Sequence, residues 1–218
     1  FRKTLQKLLK LKADQELPHV VIAVSGGVDS MVLLDLVSSV YSVQNQTAKL
    51  TACYIDHAQR SDTHHDKSII IKYSKSRSLK YRSISLKLAP KASEQDLRTA
   101  RYQALAKVAG GYPVLTAHHA QDDLETYLFR LIRGAHPSTI NGISARSKRG
   151  KLVLIRPLLE FSKSELIAYA QSRNLKWHED STNQSLRYAR NQIRKILLPL
   201  LEELRPGAQK RILRFFNE

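Results

Sequence analysis

Six consecutive residues, Ser25-Gly26-Gly27-Val28-Asp29-Ser30, carry the clearest chemistry in this chain. They follow an apolar run, His19-Val20-Val21-Ile22-Ala23-Val24, and precede a helical pattern, Met31–Val37. Strand, small-residue turn and helix together bind phosphate. Backbone N–H groups of the turn point inward, and the positive end of the helix dipole faces the anion. Gly26 and Gly27 let the backbone approach a ligand closely, and the Ser25 and Ser30 hydroxyls add hydrogen-bonding groups. The common P-loop carries a lysine for the outer phosphates; here there is none, and an aspartate occupies the turn. A carboxylate beside phosphate repels it unless a cation lies between, so Asp29 points to Mg²⁺ held jointly with pyrophosphate oxygens. Two glycines alone would suit a turn with no ligand; the full six residues between strand and helix favour nucleotide binding.

Two further segments carry acids and histidines. Asp56-His57-Ala58-Gln59-Arg60 follows an apolar run, and Thr116-Ala117-His118-His119-Ala120-Gln121-Asp122-Asp123-Leu124-Glu125-Thr126 follows another. Asp122 and Glu125 stand i, i+3 and share one helix face near its N-terminus. Alone, they read as helix capping and dipole pairing. Together with Asp56 they are expected to form an acidic pocket beside the nucleotide, suited to a small cation or to the ammonium of an amine substrate. His57, His64, His65, His118 and His119 raise a transition-metal site, but their spacing matches no zinc pattern and thiolate ligands are absent, which favours solvated or nucleotide-stacking histidines.

These residues need a scaffold, and the pattern along the chain supplies one. Strands are expected at Val20–Val24, Leu50–Ile55, Tyr81–Leu86, Val114–Ala117 and Leu152–Ile155. Helices are expected at Leu5–Leu11, from the loop to about Val43, at Asp62–Ser78 with Ile69, Ile70 and Tyr73 inward, from a Ser93 cap to about Ala109, and at Ala120–Ile132. Repeated strand–helix units argue an α/β fold, a doubly wound, Rossmann-like parallel sheet. Ligands then bind at the carboxyl ends of the strands, where all three segments arrive. Gly134–Ser138 and the basic Arg146–Gly150 read as loops. Ser162 caps another helix. A long helix is expected from about Arg187, with Ile193, Leu197, Leu200 and Leu204 on one stripe and Arg187, Arg190 and Arg194 on another; Pro199 should kink or end it. A last helix starts near Pro206. The expected organisation is a nucleotide-binding core over 1–132, the remainder of the catalytic domain with basic loops over 133–186, and a helical C-terminal linker over 187–218.

The chain has 218 residues, 36 Lys+Arg against 19 Asp+Glu, and a formal net charge of +17. Residues 127–218 carry net +11 and residues 1–126 net +6. Such an excess suggests a polyanion docking on the C-terminal third, with nucleic acid ahead of a ribosome or an anionic membrane surface. Cys53 is the only cysteine, so no disulfide forms within the chain, which fits a reducing, cytoplasmic location. No run of 18 apolar residues exists, so no transmembrane helix and no membrane partner are expected. The N-terminus opens as an amphipathic helix rather than a signal peptide, and a start at Phe1 leaves room for missing first residues.

Ser25–Ser30 resembles the Ser-Gly-Gly-x-Asp-Ser loop of the N-type ATP pyrophosphatases, of the adenine-nucleotide alpha-hydrolase-like fold. Those enzymes split ATP into AMP and pyrophosphate and park AMP on an oxygen that a nucleophile displaces. The resemblance narrows further along the chain. Asp56-His57…Arg60, Arg98…Arg101-Tyr102, Thr116–Ala120, Asp122…Glu125-Thr126, Arg130–Gly134, Arg156–Leu159, Glu179–Asn183 and Arg190-Asn191…Arg194 follow one another as in the tRNA(Ile)-lysidine synthetases, from about Val20 to Leu201. That family implies ATP with Mg²⁺, free L-lysine, and a tRNA(Ile) with a CAU anticodon whose wobble cytidine becomes lysidine. By the resemblance, Ser25, Gly26, Gly27, Val28, Asp29 and Ser30 hold ATP, Asp56, Asp122 and Glu125 take the lysine side chain or its amino group, and Arg190, Asn191 and Arg194 face the tRNA or support the domain that does. Gln121 stands where the family's first aspartate is usual, and Gln59 where leucine is. A homodimer is left open. Two alternatives also stay open: another AMP-forming ligase of the same superfamily acting on tRNA or a small molecule, and a non-catalytic RNA-binding module.

Overall fold

The computed structural model describes residues 1–12, 15–56, 63–86, 94–136, 139–178 and 189–217, without the side chains of Thr63, Glu94 and Asn217. Six strands form one sheet: β1 (Val20–Val24), β2 (Leu50–Asp56), β3 (Lys80–Ser85), β4 (Val114–Leu115), β5 (Arg146–Arg149) and β6 (Leu152–Ile155), in the order β3-β2-β1-β4-β6-β5. All neighbours pair in parallel except β5, which runs antiparallel to β6 along the edge. Strand order reverses direction beside β1, so the loop after β1 opens into the crevice where doubly wound sheets bind ligands.

Both sheet faces are covered, as a parallel sheet requires. Val20, Ile22, Val24, Leu50, Ala52 and Tyr54 face one core, shared with α1 (Arg2–Leu9), α2 (Val28–Ser42), α3 (Thr63–Ser76) and α6 (Lys163–Ser172). Val21 and Cys53, the alternate residues, face a second core against Tyr102, Leu105 and Ala109 of α4 (Glu94–Ala109). Each fully buried Leu or Ile contributes about 1.5–3 kcal/mol. One buried polar group ties three helices together. Asp35 of α2, fully buried, accepts hydrogen bonds from the Tyr73 and Tyr169 hydroxyls at 2.6 Å each, which pins α3 and α6 against α2.

A third cluster joins α5 (Ala120–Ile132) to the C-terminal helices: α7 (Ala189–Gln192), a π-helical turn at Ile193–Leu197, α8 (Leu198–Leu204) and α9 (Ala208–Asn217). The expected kink or stop at Pro199 is replaced by this π turn, after which Pro199 sits in the first turn of α8. A wider turn accommodates the missing N–H and the ring. It also rotates the apolar face. Ile193 and Leu198, five residues apart, are buried, whereas Leu200 and Leu204, expected on the inward stripe, are exposed. Arg146–Arg149, expected as a loop, is an edge strand; edge positions accept charged residues that a central strand would not. The Ser93 cap, the Glu179–Asn183 segment and Arg187 lie outside the described residues.

Candidate active site

The loop after β1 folds on its own hydroxyls. Ser25 N donates to Ser30 Oγ (3.1 Å), Ser30 Oγ donates to Gly27 O (2.9 Å), and the two serine hydroxyls lie 3.2 Å apart. Gly27 is the N-cap of α2, and no side chain caps that helix, so its first N–H groups remain available for an anion. Gly26 has φ +88, and a Cβ there would lie 2.9 Å from Cβ of Asp66. Asp66 in turn holds His178 Nδ1 at 2.9 Å, and His178 N donates to Gly26 O at 3.0 Å. The loop is thus clamped from behind by α3 and by the segment after α6.

Asp29 faces two nitrogen-bearing side chains from distant parts of the chain. Lys163 Nζ, the first residue of α6, lies 2.6 Å from Asp29 Oδ1, and His119 Nε2 lies 3.7 Å from Oδ2. Burial pushes the Asp29 carboxyl up, but His119 and Lys163 outweigh it and hold the group below its ordinary value. The loop has no lysine of its own; Lys163 supplies one from α6. The capping box of Ser162 and Glu165 places Lys163 at the start of that helix. Asp29 is a single, partly exposed carboxylate in the first turn of α2, a donor that would suit a Mg²⁺ ion beside a bound phosphate. Among the described residues no group of three or more His, Cys, Asp or Glu side chains forms a metal cage.

His119 connects the loop to the acid pair. It is buried, caps α5, and accepts from Gln121 N through Nδ1 (3.2 Å), while its own N–H donates to Asp122 Oδ2 (3.0 Å). With Nδ1 accepting, Nε2 carries the ring hydrogen and faces Asp29 Oδ2 and Asp122 Oδ2, the latter at 3.5 Å. Asp122 and Glu125 do share one face, as their spacing predicts, but they do not form a bare acidic pocket. Arg194, on the π turn, donates Nε to Glu125 Oε1 (2.6 Å), Nη2 to Glu125 Oε2 (2.9 Å) and Nη2 to Asp122 Oδ1 (3.2 Å). Burial pushes the Glu125 carboxyl up, with Arg194 opposing, and the net shift is upward. Asp123 turns away and accepts from Ile143 N, anchoring the segment before β5.

The remaining expected residues lie around this centre. Asp56, at the end of β2, pairs with Lys67 of α3 at 2.6 Å. Arg190 of α7 stacks over Phe129 at 5.6 Å, and Asn191 follows it on the same short helix. His118 and His119 meet the site, His64 and His65 are exposed on α3, and His57 lies outside the described residues. Lys163, His178, Asp66 and Lys67 were not singled out as site residues by sequence reasoning, and His119 was read there only as a candidate metal ligand or nucleotide-stacking side chain. Each reaches the site across a long sequence separation or from a helix face that periodicity leaves ambiguous.

The PP-loop domain family matches residues 2–201 of this chain. Similar curated proteins named tRNA(Ile)-lysidine synthase include that of Enterococcus faecalis, 36% identical over 208 residues, covering 92% of this chain and 45% of the relative. That of Exiguobacterium sibiricum is 37% identical over 194 residues (87% and 45%), and that of Thermotoga maritima 33% over 212 residues (93% and 50%). The chain spans about half the length of these relatives. Among solved structures, the U34-tRNA thiolase NcsA from Methanococcus maripaludis superposes with a TM-score of 0.78 at 17% identity, covering 99% of this chain and 76% of the thiolase. NMN synthetase from Francisella tularensis superposes at 0.56 with 16% identity, covering 99% and 91%. At these identities the likeness is one of fold.

Proposed function

This chain belongs to the PP-loop domain family, and from that premise we propose that it catalyses ATP-dependent attachment of L-lysine to C2 of the wobble cytidine of tRNA(Ile) bearing a CAU anticodon. Relatives of that name at 33–37% identity support the reading. The observation that carries it is His119, whose Nε2 stands 3.7 Å from Asp29 and 3.5 Å from Asp122. One buried side chain thereby joins the phosphate-binding end of the site to the acids suited to an amine.

The C2 oxygen of cytidine leaves poorly. Attack of that oxygen on the α-phosphorus of ATP forms an O–P bond and releases pyrophosphate. The lysine ε-amine then bonds to C2, the C2–O bond breaks, and AMP departs with the oxygen. Ser25–Ser30 cradle the phosphates through backbone N–H groups, and Asp29 is the residue that would hold Mg²⁺, which when bound would supply positive charge beside the pyrophosphate. Lys163 swings from Asp29 to the same phosphates.

Free lysine has a pKa of about 10.4, so losing its proton at pH 7 costs about 4.6 kcal/mol. Asp122, whose contact with Arg194 is the longer one, receives the ammonium. Glu125, with its raised pKa, is the better proton acceptor. Asp56, at the end of β2 and paired with Lys67, is the third acid of the proposed lysine site. Arg190 and Asn191 meet the tRNA, and Arg194 acts from inside the site, holding the acids.

Sulfur transfer fits less well. Cys53 is fully buried beneath α4, and burial pushes its thiol up to about 11, so it is a poor nucleophile and has no cysteine partner for a cluster. The test is to incubate the protein with ATP, Mg²⁺, lysine and tRNA, digest the tRNA, and weigh the nucleosides. A nucleoside of cytidine plus lysine minus water is expected; unchanged cytidine with ATP consumed contradicts the assignment.

A further inference from the structure

Four arginines converge on one buried tyrosine. Tyr102 of α4 is 6% exposed. The guanidinium carbons of Arg98 and Arg101, on the same helix, lie 5.5 and 5.4 Å from its ring centroid, and that of Arg149, at the end of β5, lies 4.6 Å away. Arg156, immediately after β6, is also 6% exposed. Its Nη1 donates to Ser144 O (2.6 Å) and Ser147 Oγ (3.0 Å), but its Nε is buried without a partner. The Tyr102 hydroxyl is buried without a partner too; Arg101 and Arg156 approach it without closing a hydrogen bond of ordinary geometry. Among the described residues, no ion pair joins any of these arginines to a carboxylate.

A cation–π contact accounts for one guanidinium on a ring. It does not account for several like charges crowded on one ring with a fourth beside them, nor for two buried polar atoms left unpaired. An anion with several acceptor oxygens resolves both, and arginine forks match phosphate oxygens in pairs. We propose that Arg98, Arg101, Arg149 and Arg156, with the Tyr102 hydroxyl, form a binding site for a phosphate group. The site adjoins the catalytic centre: His118, which follows β4 and lies two residues from Thr116, is within the field of Arg156, Arg101 and Arg98 on one side and Asp122 on the other. Arg149 and Lys148 are exposed at the sheet edge, so the site opens outward as a passing RNA backbone requires. The phosphate comes from that backbone or from a nucleotide. Only the first source rests on the function proposed above.

Arg149→Gln and Tyr102→Phe test the site, since one change lies on an exposed edge and the other removes a single hydroxyl. Thermal unfolding establishes that each variant is folded. The two probes are tRNA, titrated over a range of salt by fluorescence anisotropy, and ATP, by equilibrium dialysis. Arg149→Gln is expected to weaken tRNA binding on the order of tenfold and to make the salt slope shallower by about 1, with ATP affinity unchanged and Tyr102→Phe acting on the same probe. Weakened ATP binding with unchanged tRNA binding, again in both variants, supports the site with a nucleotide as its source. Folded variants that leave both probes unchanged, or that act on different probes, overturn it. Wild-type protein that binds tRNA with the expected slope yet attaches no lysine refutes the proposed function and leaves this site standing.

Discussion

Arg194 grips Glu125 through two parallel hydrogen bonds, Nε to Oε1 at 2.6 Å and Nη2 to Oε2 at 2.9 Å. The pair spans 69 residues and ties the C-terminal helices to α5 at the acids proposed to receive the amine. Arg194 opposes the upward push of burial on the Glu125 carboxyl. Arg194→Gln removes that opposition. The acid limb of kcat/KM for lysine, which follows ionisation of Glu125, then moves to higher pH. An acid limb that stays in place in a pH–rate series separates Arg194 from Glu125 in function. Arg194→Lys should not restore the limb fully, because an ammonium cannot grip both carboxylate oxygens as the planar fork does.

Glu125→Gln keeps the shape of the pair and removes the proton acceptor. Lysine-dependent AMP release is expected to fall about 10²–10⁴-fold, the usual contribution of a positioned base. The KM for ATP should change little, since the loop lies on the other side of His119. Equal damage to the ATP and lysine parameters in steady-state kinetics argues against a role confined to the amine.

The two loop glycines should behave differently. Gly26 has φ +88 and no room beside Asp66, so Gly26→Ala is expected to destabilise the fold by about 1–3 kcal/mol. Gly27 has an ordinary φ of −74, and its nearest neighbour to a new Cβ is Ser25 Oγ at 3.6 Å. Gly27→Ala should leave stability unchanged or raise it by about 0.4–1 kcal/mol. It should still raise the KM for ATP, because the added methyl stands where phosphate approaches. Denaturant unfolding and ATP kinetics on the two variants read the contrast; a Gly27→Ala protein with normal ATP kinetics removes the close approach.

Local signals were legible in the sequence, and long-range pairings were not. Strand, turn and helix around Ser25–Ser30 follow from adjacent residues, and β1, β2 and β6 follow from apolar runs that a two-sided sheet demands. Asp122 and Glu125 share a face because helical spacing alone puts them there. Lys163 reaches Asp29 across 134 residues, and its capping box says where α6 starts without saying what it faces. The family resemblance pointed Arg190, Asn191 and Arg194 toward tRNA, and nothing local announced that Arg194, on the π turn, pairs with Glu125 and Asp122. Arg146–Arg149 lacked the alternation of a half-buried strand, since an edge strand of charged residues needs only its backbone to pair.

Asp29→Ala removes the carboxylate that would hold Mg²⁺ and leaves Lys163 partly exposed and free to reorient. Pyrophosphate release is expected to be lost while circular dichroism and the unfolding midpoint stay close to wild type. Lys163→Ala should instead retain some release with a raised KM for ATP, since it removes one phosphate contact and not the metal ligand. Full activity in Asp29→Ala sinks the loop assignment.

His118 provides a pH test of the fold beside the site. Burial first, then Arg156, Arg101 and Arg98 outweighing Asp122, lower its pKa to about 4. The unfolded chain takes up this proton as pH falls through about 6.5, and the folded protein does so only near 4. The contribution to stability is therefore complete above 6.5 and is lost between 6.5 and 4. In that window His118→Gln should flatten the decline in stability by up to about 1.4 kcal/mol per pH unit. Parallel melting curves for wild type and variant across the window contradict the buried, neutral imidazole.

The most direct test of lysine attachment through an adenylated tRNA follows AMP and pyrophosphate separately, with ATP and Mg²⁺ present throughout and lysine and tRNA added singly and together. Adenylation of the tRNA predicts pyrophosphate release that requires tRNA, and displacement by the amine predicts AMP release that requires both tRNA and lysine. AMP released at the same rate without lysine, or without tRNA, contradicts the mechanism and returns the site at Asp29, His119 and Asp122 to another AMP-forming reaction.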